Sequence, residues 1–229
     1  MVTSQIHTYK KNDKIREHQK LLINMILKTH GVNFKGKVLD IGCASGTLIE
    51  KLNKEIKNSN FIGLDTSSEL IKIAKKKKIS KSKFINKDFM KFKNKSKFDI
   101  VIAGGVLAFY DNFQIAINKM IGLLKKKGHL YIIGTFNSEN IDTLVKFRNN
   151  YTKSKWEKGL NSFSIKTISN YLRNKKLRFK FKKFKMPFFL SKKKNPILSY
   201  TIITKNNSKI LLNGANMRME LYYLLIKKV

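Results

Sequence analysis

Three features of the sequence predict an α/β fold, a mostly parallel sheet flanked by helices. The stretch Val38 to Gly46 joins a short apolar run carrying an acid to a small-residue turn, and the amphipathic run Thr47 to Leu52 follows. That order reads as the strand, tight loop and helix that open a βαβ unit. Three further apolar runs, Phe61 to Asp65, Phe84 to Phe89 and Phe98 to Leu107, have the character of buried parallel strands. A chain of 229 residues with two prolines and dispersed glycines gives one domain a sizeable core and shows no obvious linker.

Taken in order, Met1 to Asn12 reads as irregular and Asp13 to Thr29 as a helix with Leu21, Leu22, Met25 and Ile26 inward. In the loop after the first strand, Gly42 and Gly46 allow φ > 0 and let a ligand lie against the main chain. The N–H groups opening the next helix suit a carboxylate or a phosphate there. A dinucleotide fingerprint starting at Gly42 needs glycine at 44 and 47, where the chain has Ala44 and Thr47, so NAD is a poor match. Asp65 lies 23 residues after Gly42, the range in which an acid reaches the ribose hydroxyls of an adenosine. Thr66 to Glu69 then supplies helix-capping chemistry, with Leu70, Ile71, Ile73 and Ala74 as the apolar face. The run from Phe98 ends in small residues, among them Gly104, and ligands in open α/β sheets bind beyond such strand ends, so the signals converge on one crevice. Acids stand at or near three successive strand ends, Asp40, Asp65 and Asp88, although only 14 residues of the chain are acidic; each singly reads equally well as a cap or loop carboxylate.

With Asp40 two positions before Gly42, this loop resembles the first motif (D-x-G-x-G-x-G) of the class I S-adenosylmethionine-dependent methyltransferases. Ala44 departs from it at the middle glycine, a change tolerated if φ there is negative and one that narrows the space beside the methionine moiety. The resemblance covers residues 36 to 135 and implies a Rossmann-like seven-stranded sheet with a C-terminal antiparallel β elaboration. Residues 1–229 then form a single domain: a helical segment 1–35, a cofactor-binding core 36–135, and acceptor-side and C-terminal β elements 136–229. The implied cofactor is S-adenosyl-L-methionine, with S-adenosyl-L-homocysteine as product. By the same resemblance Gly42, Cys43, Ala44 and Gly46 hold the methionine part and Asp40 orders the loop. Asp65 and Thr66 belong at the ribose, Asp88 accepts from the adenine amino group, Phe89 packs on its ring, and Gly104 borders the crevice. A leading helix in this family often closes over the cofactor, which would bring Tyr9, Arg16 or His18 towards the site. Phe109 and Tyr110 stand where the family faces its methyl acceptor, and Trp156 is a further acceptor-side candidate, though core packing suits it better. Tyr110 and His18 are the candidates for a base, while His129 sits at the wrong end of its strand. Asp111 reads better as a cap for the helix Phe113 to Leu124.

Leu123 to Gly134 resembles the family's helix, turn and fifth strand, Thr135 to Asn137 ends the sheet proper, and Ile141 to Tyr151 then reads as a helix, as does Ser164 to Leu172. Arg178 to Lys182 alternates as a strand, and a slip of phase before Phe184 suggests a bulge. Ser199 to Thr204 and Lys209 to Leu212 form a hairpin around Asn206-Asn207, and Leu221 to Ile226 is a last strand.

Composition bounds the partners. The formal charge of +35 invites nucleic acid or an anionic membrane surface. Only five of the 49 basic residues are arginine, however, and a lysine-, asparagine- and isoleucine-rich chain is also what an AT-rich genome writes at permissive positions. Residues 103 to 110 lack the Asn/Asp-Pro-Pro-aromatic tetrapeptide of base-amino methyltransferases, which favours a small metabolite, sugar or lipid-linked acceptor methylated on oxygen or nitrogen. An rRNA or tRNA methyltransferase and a catalytically inactive cofactor-binding partner are the alternatives. His7, His18, His30 and His129 show no metal-ligand spacing, and Cys43 suits a small packed residue. With no apolar run of about 18 residues and no basic-then-apolar leader, neither a membrane span nor a secretory signal is expected, and the expected location is cytoplasmic.

Overall fold

Helix α1 (Glu17–His30) leads into β1 (Lys37–Ile41), and from there strand and helix alternate through α2 (Thr47–Glu55), β2 (Asn60–Asp65), α3 (Ser68–Lys76), β3 (Ser82–Asn86), β4 (Phe98–Gly104), α4 (Phe113–Leu123) and β5 (Leu124–Asn137). The computed structural model describes residues 14–150, 155–193 and 198–229; Tyr9 and the irregular start lie outside them. Three short strands follow, β6 (Lys146–Phe147), β7 (Glu157–Lys158) and β8 (Phe163–Ser164), then α5 (Ile165–Asn174) and β9 (Arg178–Lys183). The chain next leaves the main sheet to build an antiparallel meander of β10 (Tyr200–Ile203), β11 (Lys209–Leu212) and β12 (Arg218–Met219), and returns through β13 (Leu221–Lys227).

The main sheet has the order β3-β2-β1-β4-β5-β13-β9, with β8 pairing on the end of β5. Strands β1 to β5 are parallel, and β13 is antiparallel to both β5 and β9. This is the mostly parallel seven-stranded sheet expected, with the antiparallel hairpin beyond it. Burial on both faces explains the continuous apolar runs. Leu39, Val101, Ala103, Leu130 and Leu224 pack under α4 and α5, while Val38, Ile100, Ile102, Tyr131 and Tyr223 pack under α1, α2 and α3.

Four local expectations are corrected. On α1 the buried stripe is Leu22, Ile23 and Ile26, and Leu21 is exposed, because a face centred on positions 22 and 26 takes in 23 at 100° per residue. Residues 141–150 form no helix: β6 pairs with β7, and the backbone bonds of Thr143, Val145 and Gly159 run across to this partner segment. Ile141 and Leu144, whose spacing imitates a helical face, are both exposed. No bulge interrupts β9, whose register against β13 is unbroken; Phe184 simply points to the opposite face from Phe179 and Phe181, and that face is also covered there. Trp156 is 68% exposed, with the Arg148 guanidinium 5.6 Å from its ring centroid, so it is not a core residue.

Candidate functional site

The loop between β1 and α2 turns back on itself through three residues of positive φ, Gly42 (74°), Ala44 (47°) and Gly46 (77°). Ala44 therefore takes the glycine-like conformation, contrary to the negative φ expected for it. The loop is fastened to β2. Gly42 N–H and Cys43 N–H both donate to the Leu64 carbonyl (2.8 and 3.0 Å), and Ala44 N–H donates to Asp65 Oδ2 (2.9 Å). Close approach explains two of the glycines. A Cβ on Gly42 would stand 2.6 Å from Val106 Cγ2, and one on Gly46 would stand 2.9 Å from the Phe84 ring. Val106, placed after β4, thus seals the back of the loop, a role that an ordinary valine in sequence does not signal. Cys43 is buried, and burial pushes its thiol pKa up, which suits a packing residue.

Asp65 ends β2 and is buried; its second oxygen accepts from Ser67 N–H (2.8 Å), so one carboxyl ties the glycine loop to the start of α3. Burial raises its pKa against these backbone bonds. Asp40 is 3% exposed, and burial together with the Asp65 charge lifts its pKa from 3.8 to about 8. Two carboxyls are therefore held out of water under one loop, an arrangement that a cationic ligand group relieves. Thr66 beside them is exposed.

Asp88 follows β3, caps a short 3-10 turn through Met90 N–H (2.9 Å), and receives the Tyr110 hydroxyl at 3.4 Å. Phe89 is buried in the core and meets the Tyr110 ring edge-on at 5.3 Å. At the end of β4, Gly104 and Gly105 are exposed, and a Cβ on either would meet nothing within 4 Å. The carboxyl ends of β3, β2, β1 and β4 lie side by side, so Asp88, Asp65, Asp40 with Gly42 to Gly46, and Gly104 fall along one edge of the sheet, with Tyr110 reaching Asp88; this edge is the candidate crevice.

The two candidates for a base fare differently from expectation. Burial and the neighbouring Asp88 push the Tyr110 hydroxyl up to about 12, so it keeps its proton and donates. His18 is pulled down to about 4 by burial and by Arg16, its ring edge-on to Phe184, which leaves it neutral and weakly basic at pH 7. His129 lies at the amino-terminal half of β5 against His30, remote from the strand ends.

Asp111 does not cap α4. Asn112 does, accepting from Ile115 N–H (3.1 Å), while Asp111 accepts from Lys158 Nζ (2.7 Å) and Asn161 Nδ2 (3.0 Å). Asn161 is the residue sequence reasoning missed. It is 2% exposed and bonds Val145 N–H, Asp111, the Ala108 carbonyl and the Thr135 hydroxyl, so it ties Val145 and its own stretch of chain to the turn that carries Phe109 and Tyr110. An asparagine in an irregular stretch carries no signal of this. Trp156 is exposed, with the Arg148 guanidinium over its ring. No group of three or more metal-ligating side chains forms among the described residues.

A family profile described as a methyltransferase domain matches residues 33–186. Among curated proteins, an uncharacterized protein of Methanocaldococcus jannaschii is 32% identical over 145 residues, 62% of this chain and 53% of that protein. The malonyl-(acyl-carrier protein) O-methyltransferase of Priestia megaterium is 29% identical over 152 residues, 66% of this chain and 53% of its own length. The chain spans about half the length of these curated relatives. Among solved structures, the N-methyltransferase NodS from Bradyrhizobium japonicum, crystallised with S-adenosyl-L-homocysteine, shares the fold with a TM-score of 0.60 at 15% identity, over 98% of this chain and 97% of that one.

Proposed function

The chain belongs to the methyltransferase-domain family, and from that premise we propose that it is an enzyme, a single domain over residues 1–229, that transfers a methyl group from S-adenosylmethionine to an oxygen or nitrogen of a small metabolite, sugar or lipid-linked acceptor. The observation that carries this reading is the pair of buried carboxyls, Asp40 and Asp65, beneath a loop with positive φ at 42, 44 and 46. A chain with 49 basic and 14 acidic residues spends two of its acids where water barely reaches them, beneath the loop that joins β1 to α2. The positive charges of a sulfonium and an α-ammonium fit that environment, and the negative pyrophosphate of a dinucleotide does not.

S-adenosylmethionine, when bound, supplies a methyl group already activated on a sulfonium, so no covalent link to the protein is needed. The chain's own task is to hold donor and acceptor in line and out of water. Residues Gly42 to Gly46 would hold the methionine part, with Asp40 ordering the loop from beneath. Asp65 and Thr66 would meet the ribose, Asp88 and the Phe89 segment the adenine, and Gly104 leaves room at the strand end. Phe109 and Tyr110 border the acceptor side, where the Tyr110 hydroxyl serves as a hydrogen-bond donor rather than as a base. The names of the curated and solved relatives, one an O-methyltransferase of a carrier-bound malonyl group and one an N-methyltransferase, support a small acceptor group.

A methyl-labelled cofactor tests this directly. The protein is incubated with it and a cell extract, which is then separated into organic-soluble, aqueous small-molecule and acid-precipitable fractions. Label in either of the first two is expected; label confined to ribonuclease-sensitive precipitate would transfer the assignment to an RNA methyltransferase.

A further inference from the structure

The meander β10–β12 is inserted between β9 and β13, and its position follows from the sheet. Strand β13 is antiparallel to both β5 and β9, so β9 runs with β5 and the chain departs from Lys183 at the carboxyl ends of the strands, on the side of the crevice. The meander returns there as well: Glu220, between β12 and β13, accepts from Ser138 N–H just after β5 and pairs with Lys183 and Arg218.

Its two faces differ. Directly opposed residues of an antiparallel pair share a face. Thr201 and Leu211 form one such pair and are buried, with β10 hydrogen-bonded through Thr201 to Leu190. The other face carries Tyr200 opposite Leu212 and Ile202 opposite Ile210, and none of these four belongs to either core cluster. Ile202 is 41% exposed, Tyr200, Ile210 and Leu212 are half-buried, and Phe188 and Phe189 beside this sheet are also exposed. The surroundings are cationic. Lys192 stands over the Tyr200 ring at 5.1 Å, Lys193, Lys205, Lys209 and Arg218 are exposed, and not one acid occurs from Lys158 to Met219.

We propose that this face docks on an anionic lipid surface, setting the crevice against the membrane so that an amphiphilic acceptor enters from it. This rests on the methyltransferase reading for the acceptor, though not for the docking. Aliphatic and aromatic side chains with a lysine rim match the boundary between acyl chains and acidic headgroups. A second copy of the chain fits poorly, since each brings a formal charge of +35 to the contact. RNA fits less well, because Ile202, Ile210 and Leu212 on this face are aliphatic and the Tyr200 ring among them is already covered by the Lys192 ammonium, which leaves no row of open ring faces along the strands.

The test is flotation of the full chain with vesicles of pure phosphatidylcholine and of phosphatidylcholine with about one-third phosphatidylglycerol. Binding to the anionic vesicles alone is expected, weakened roughly tenfold or more by the double variant Ile202→Ser/Ile210→Ser, and weakened by salt as headgroup attraction is screened. Lys192→Glu/Lys205→Glu is the second variant, and it should lose vesicle binding even if the first misfolds. Titration with S-adenosylhomocysteine should be unchanged in both, which separates failure of the docking idea from failure of the cofactor assignment. The proposal is overturned by absence of vesicle binding, by equal binding of variants and parent, by tighter binding of a single-stranded RNA oligonucleotide through the same residues, or by a dimer that the Ile variant dissolves.

Discussion

Ala44 sits where the motif's middle glycine would be, and it holds φ at 47° all the same. An alanine in that region costs about 1 kcal/mol, and glycine there would forfeit about 0.4–1 kcal/mol through the freer unfolded chain. Ala44→Gly should therefore leave stability unchanged or raise it by up to about 1 kcal/mol. Gly46→Ala, with φ at 77° and its new Cβ 2.9 Å from the Phe84 ring, should cost about 2 kcal/mol or more. Urea denaturation of the pair checks both, and a larger loss for Ala44→Gly than for Gly46→Ala would refute this account of the loop. Asp40 gives a pH signature. Its pKa rises from 3.8 to about 8 on folding, so between those values the folded chain binds a proton that the unfolded chain does not, and this group's contribution to stability falls as pH rises. His18 and His30, lowered from 6.5 to about 4, act the other way until the unfolded imidazoles are deprotonated, above about pH 7.5, but they act alike in the parent and in an Asp40 variant and cancel in the comparison. From pH 6.5 to 8 the parent should lose about 1–2 kcal/mol relative to Asp40→Asn, measured as the divergence of their urea midpoints. Parallel midpoints would mean that Asp40 is ionised in the folded chain. At this scale the positions of Asp40, Asp65 and Asp88 were legible because a strand's end is marked by its apolar run. The conformation of Ala44 was not, because φ depends on the turn and leaves no trace in the residue type.

Among the elements, the parallel core was readable since β1, β2, β4 and the second half of β5 are buried on both faces and their apolar runs are almost unbroken, while the edge strand β3 buries only Phe84. The acceptor side was not. Ile141 and Leu144 are spaced as on a helix, yet the backbone there is captured by residues 157–162, and long-range pairing of this kind overrides local pattern. Asn161 supplies the capture. Asn161→Ala removes the side-chain bonds to Asp111 and Val145 from a buried position and should destabilise by about 2–3 kcal/mol while loosening the turn that bears Tyr110. Thermal unfolding reads the first effect, and hydrogen exchange of the amides of 107–110 reads the second. A variant as stable as the parent, with those amides equally protected, would show that the segment is held by something else. The strand β9 also teaches a limit: Phe184 looked like a slip of register only because one face was assumed to be polar.

At the scale of the whole molecule, the charge of +35 is the dominant fact and few acids offset it; Lys77–Glu50, Lys125–Asp99, Lys158–Asp111 and the Lys183–Glu220–Arg218 group pair some of them. Self-repulsion of this size should make added salt stabilising, so the thermal midpoint should climb between low and moderate sodium chloride, and a fall would mean that the pairs outweigh the repulsion. The total charge was plain in the sequence, but only the fold brings the exit from β9 and the return from the meander to the carboxyl ends of the strands. The measurement that bears most directly on the crevice is calorimetric titration of the full chain with S-adenosylmethionine, S-adenosylhomocysteine and NAD, repeated on Asp65→Ala. Binding of the first two and not of NAD is predicted, weakened in the variant by about 1–3 kcal/mol, or roughly five- to 150-fold. No binding of either adenosyl compound, or an affinity untouched by the loss of Asp65, would contradict the assignment.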